Sequence, residues 1–129
     1  MSALSILSSG MVSAVGLSAP ASCAAIRCAL DNFQETRFID AGGEWQVAAS
    51  VPLEEPWRGR TKLVKMAARA IAESLAGVPG IDYAATPLLL GVAELDRPGR
   101  CDGLDNGLLR DIEGELGVQF HGASTLIPR

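Results

Sequence analysis

Residues that do chemistry are scarce in this chain. Its 129 residues include one histidine, His121, and three cysteines, Cys23, Cys28 and Cys101. With a single imidazole and no ligand spacing among the cysteines, no metal site is expected, and no cofactor is implied. Cys23 and Cys28 stand five residues apart on a predicted helix and point to different faces, which argues against a disulfide between them. All three thiols are expected as small buried hydrophobes in a reducing cytoplasm. Positive charge is also short. Eleven Lys and Arg against fifteen Asp and Glu leave a net charge of −4, without the basic field that general nucleic-acid binding needs. No run approaches about 18 uninterrupted apolar residues, so no transmembrane helix is expected. The small-residue stretch 3–25 has no Lys or Arg before Arg27 and lacks the positive start of a secretory signal. Aromatics make up only 5% of the chain, so large aromatic side chains do not dominate the core.

What is present is aliphatic. Apolar residues reach 48%, mostly Ala, Leu, Val and Ile, and mean hydropathy is +0.23. That inventory suits a parallel sheet under close-packed helices and leaves apolar surface for a neighbour. The length corresponds to a single domain, 1–129. Leu4-Ser5-Ile6-Leu7-Ser8 reads as a first strand, closed by Ser9-Gly10. Ser18 is a good N-cap with Pro20 in the first turn, and Cys23, Ile26, Leu30 and Phe33 follow at helical spacing. Asp31-Asn32 marks that helix's end. Glu44 to Val51 alternates as a strand with one exposed face.

Thr61 is expected to cap a helix over 62–76, closed by Gly77, with Leu63, Met66, Ala67, Ala70, Ile71 and Ser74 as its core stripe. The continuous apolar run Pro87–Ala93 reads as a central parallel strand covered on both faces, which would bury Leu89 and Val92. Asp102 is expected to cap a third helix with Leu104, Leu108, Leu109, Ile112 and Leu116 inward and Gly117 as its stop. Val118 to Ser124 reads as a last strand. The expected architecture is α/β in βαβαβαβ order: three layers around a mixed sheet, with the first strand beside 88–93.

Four patches carry a family resemblance. Ile6-Leu7-Ser8-Ser9-Gly10-Met11-Val12-Ser13-Ala14-Val15-Gly16 is similar to the opening strand and Gly-x-x-Ser-x-x-Gly turn of β-ketoacyl synthases. The Ala/Cys-rich helix after it resembles their first helix. Gly59–Ala70 looks like their basic-start second helix, and Leu88–Glu94 like their next core strand. The resemblance implies a partial thiolase-like fold, the N-terminal portion of the superfamily domain, whose family activity would be acyltransferase. It also places the nucleophilic cysteine beyond residue 129. Cys101, between Gly99-Arg100 and Asp102-Gly103, lacks the small-residue flanks of a nucleophile elbow, and His121 cannot fill two imidazole positions. No catalytic residue is therefore expected.

In the family, the basic start of the second helix lies near the acyl-tunnel mouth and docks the acidic acyl carrier protein. The matching positions are Arg60, Lys62, Lys65 and Arg69, with Arg58 just outside. Five of the eleven cations thus fall within twelve residues, a cluster that would favour an acidic protein partner. The bland reading of the same cluster is a solvated helix face.

The resemblance points to the non-catalytic thiolase-like accessory proteins of type VI secretion effector clusters. The expectation is a cytoplasmic interaction module, an adaptor or co-chaperone for effector loading, in a homo- or hetero-oligomer. The alternatives are an N-terminal fragment of a synthase active only in its full-length parent, and an acyl carrier protein binding module.

Overall fold

A computed structural model describes residues 3–129. Its elements follow the order α1 (Ala19–Arg27), β1 (Phe33–Ile39), β2 (Trp45–Ala49), α2 (Gly59–Ala76), a 3₁₀ turn at Tyr83–Ala85, β3 (Leu89–Val92), α3 (Asn106–Leu116) and β4 (Thr125–Pro128). The fold is mixed α/β, with two separate two-stranded sheets instead of one continuous sheet. β1 and β2 form an antiparallel ribbon, while β3 and β4 run parallel and are joined through α3 as a βαβ unit.

The core lies between α2, α3 and the inner face of β3–β4. Ile112 is completely buried, and it clusters with Val64 and Leu108 while Ile71, Leu90 and Leu126 close around them. α3 forms here because Asp105 caps it, its carboxylate accepting the Gly107 N–H at 2.8 Å. The helix stops at Gly117, whose φ of 68° is the left-handed conformation that favours glycine. The expected cap, Asp102, lies in the loop before it.

The N-terminal loop is held by polar contacts. Ser22 is fully buried and its hydroxyl donates to the Gly16 carbonyl at 3.0 Å. Glu73 on α2 accepts the backbone N–H groups of Met11 and Ala19. α1 starts at the expected Ser18 cap but ends earlier than expected. Ala29 turns left-handed at φ 55°, the Leu30 N–H reaches back to the Ala25 carbonyl at 3.0 Å, and the Ala29 N–H reaches Ile26 at 3.0 Å. This Schellman closure frees Phe33 to begin a strand instead of continuing the helical stripe.

Several sequence expectations are corrected. Residues 4–8 form no strand and do not pair with 88–93; among the described residues β3 has β4 as its only strand partner. Leu4 and Ile6 are 99% and 92% exposed. Leu89 is 60% exposed and Val92 only half-buried, since β3–β4 is covered on one face and not two. Helix α2 starts after Arg58, placing Thr61 inside its first turn, and Gly77 ends it at φ −77°, outside the left-handed region. The buried stripe of α2 is rotated by one residue, to Val64 and Ala68, because α3 is its main neighbour; Leu63, Met66, Ala70 and Ile71 are partly exposed. The last strand is Thr125–Pro128, not 118–124, which holds Phe120 buried against the Tyr83 ring and a turn closed by the Ser124 N–H on the His121 carbonyl.

Candidate functional site

The five cations singled out from the sequence, Arg58, Arg60, Lys62, Lys65 and Arg69, lie on or just before α2, and four have partners within the chain. Arg60 donates to Asp111 Oδ2 through Nε at 2.9 Å and Nη2 at 2.7 Å, tying α2 to α3. Lys65 Nζ reaches both Glu115 carboxylate oxygens, at 2.7 and 2.8 Å, and stands 4.9 Å from the centre of the Trp57 ring. Lys62 Nζ donates to Ser50 Oγ at 2.8 Å. Arg69 pairs with Glu54, whose carboxyl lies below the usual carboxylate range through a hydrogen bond from its own backbone and then through Arg69. Arg58 precedes the helix and is exposed.

The stripe is therefore largely balanced by Glu54, Asp111 and Glu115. An acidic partner would have to displace these contacts, each a partly exposed pair of modest strength.

No catalytic grouping emerges among the described residues. Cys101 Sγ faces the Asp102 carbonyl at 3.5 Å, and His121 Nδ1 accepts the Ala123 N–H at 3.1 Å within its own turn. Thiol and imidazole are thus not hydrogen-bonded to each other. No cluster of three His, Cys, Asp or Glu side chains could hold a metal among the described residues. An apolar cleft of about 410 Å³ lies between α2, α3 and β3 and includes Cys101 and Arg100 in its wall. The Arg100 guanidinium is committed to backbone carbonyls, to Ala93 at 3.1 Å and Leu104 at 3.0 Å.

The feature that sequence reasoning missed is the β1–β2 ribbon. Its register pairs Phe33 with Ala49, Glu35 with Val47 and, past an irregularity between Glu35 and Ile39, Ile39 with Trp45, which places the apolar Phe33, Ile39, Trp45, Val47 and Ala49 on one face together with the carboxylate of Glu35. All five are exposed; Phe33 is 65% so and Val47 61%. The turn was legible in Asp40-Ala41-Gly42-Gly43-Glu44, where Asp40 Oδ1 accepts from Gly42 N at 2.8 Å and Glu44 N at 3.0 Å. Gly43 takes φ 87° there. The ribbon is rooted by Asn32, whose Nδ2 donates to Ala14 O at 3.1 Å and Ser50 O at 3.0 Å. An isolated two-stranded ribbon is marginal in water, and this one leaves the apolar side chains of one face uncovered.

Compared with protein-family models, with curated proteins and with solved structures, the chain finds no match in any of the three. No helix among the described residues is long and apolar enough to cross a membrane.

Proposed function

We propose that this chain is a non-catalytic, cytoplasmic protein-interaction module. The carrying observation is the exposed apolar ribbon face of Phe33, Ile39, Trp45 and Val47. Aromatic side chains such as these are among the residue types that dominate binding energy at protein interfaces.

The sequence resemblance to β-ketoacyl synthases gives this reading its specific form: an adaptor or co-chaperone for effector loading in type VI secretion. In this reading a partner would supply what is missing from a three-layer thiolase-like arrangement. The pairing of Arg60, Lys65 and Arg69 with carboxylates weighs against docking of acyl carrier protein as the primary role, while Lys62 meets only the uncharged Ser50 hydroxyl. The reading as an N-terminal portion of a larger synthase draws on the wet side chains of Leu4 and Ile6.

Co-expression with a type VI effector and its chaperone tests the proposal. Stoichiometric co-purification, lost in Phe33→Asp with Trp45→Asp, is the expected result. Absence of a complex, or formation of a ketoacyl product or acyl-cysteine from an acyl thioester and malonyl carrier, overturns it.

A further inference from the structure

β3 has an open edge. Its partner β4 takes the carbonyls of Leu88 and Val92, through Thr125 N at 3.0 Å and Arg129 N at 2.9 Å. Leu89 and Gly91, alternating with them, turn their N–H and C=O groups to the other side, where no strand pairs among the described residues. The apolar cleft of about 410 Å³ lies beside this edge: Leu63, Met66, Ala67, Leu90, Gly91 and Val92 line it, and no residue of β4 does.

Residues 3–8 have the complementary defect. They are uncharged, apolar at Leu4, Ile6 and Leu7, exposed over 3–7, and outside any strand. The edge they match, 87–93, is likewise uncharged.

We propose that residues 3–8 of a second copy of this chain add as a strand to the open edge of β3, setting Leu4 and Ile6 into the cleft. The exchange is between copies because the segment heads away from its own cleft. Gly10 packs on Ala70 and Ser74, and Ser8 on Gly77, so the chain runs toward the C-terminal end of α2 as its numbers fall. The cleft opens at Leu63–Ala67, and Met66 is roughly 17 Å from Gly77 along the helix. Two exchanged strands, with the walls they cover, bury on the order of 1,200 Å², the lower limit of a stable interface. The inference is independent of the ribbon and of any effector.

Light scattering of the full chain at low micromolar concentration, with amide hydrogen exchange, tests it. The expected result is twice the chain mass, with Leu89 and Gly91 amides protected. Ile6→Pro, which removes a strand donor at a side chain 92% exposed in its own copy, should weaken association at least tenfold with an unchanged circular dichroism spectrum. A single-chain mass overturns the proposal, even with those amides protected. So does a two-chain mass that survives Ile6→Pro, or one in which Leu89 and Gly91 exchange freely. An effector complex lost by ribbon substitutions, with the two-chain mass intact, bears only on the adaptor reading.

Discussion

Glu73 accepts the Ala19 N–H with both carboxylate oxygens, at 2.9 and 3.0 Å, across 54 residues of sequence. Ala19 is the first residue of α1, so the carboxylate sits at the positive end of that helix while also holding Met11 N at 2.9 Å. One side chain thereby fixes the N-terminal loop and α1 to α2. Glu73→Ala should cost about 1.5–3 kcal/mol, the range for hydrogen bonds to a charged group, and Glu73→Gln less. Urea unfolding gives the loss, and limited proteolysis should cut within 10–20 first.

Ile112→Ala should be the most damaging single truncation, at about 2–5 kcal/mol, because the side chain is completely enclosed. Leu89→Ala, which the continuous apolar run of the sequence marks as a core change, should cost under about 1 kcal/mol in the monomeric state at 60% exposure. Denaturant midpoints of the two variants at high dilution check the ranking.

Ala29→Gly should stabilise the chain by about 1 kcal/mol, since an L-residue with a Cβ bears a cost of that order in the left-handed region at φ 55°. Thermal unfolding measures it; a lower midpoint would show that the α1 closure does not depend on that conformation.

The Glu54 carboxyl, lowered by its backbone hydrogen bond and by Arg69, gives a pH signature. A depressed folded-state pKa contributes stability above the ordinary carboxylate value, lost as pH falls through the folded one. Arg69→Ala should move the Glu54 titration upward, read by side-chain NMR. The residual depression would belong to the backbone hydrogen bond.

The helices were the most legible elements. Ser18, Pro20 and the Leu108–Ile112 stripe announced α1 and α3 because caps and 3.6-residue periodicity are local signals. The strands were less so. Trp45–Ala49 and Leu89–Val92 were read as strands, the second wrongly as a central one covered on both faces, whereas 4–8 has strand composition and no strand, since a strand exists only where another backbone accepts it. Phe33 satisfied a helical spacing by coincidence, which hid β1 and with it the ribbon face. The basic stripe was visible, but its neutralisation was not. Glu54 lies 15 residues from Arg69 in sequence, and Asp111 and Glu115 lie 51 and 50 residues from Arg60 and Lys65.

Both roots of the ribbon are tied to the N-terminal loop by one nitrogen, Asn32 Nδ2, between the carbonyls of Ala14 and Ser50. Aspartate has nearly the same shape, but in place of that nitrogen it carries an oxygen with no hydrogen to donate. The exchange, by mutation or by slow hydrolysis of the side-chain amide, would turn two attractions into two lone-pair repulsions. The ribbon's fastening thus depends on the element at a single atomic position, and the same protein with an aged Asn32 would present its apolar face from a loosened base.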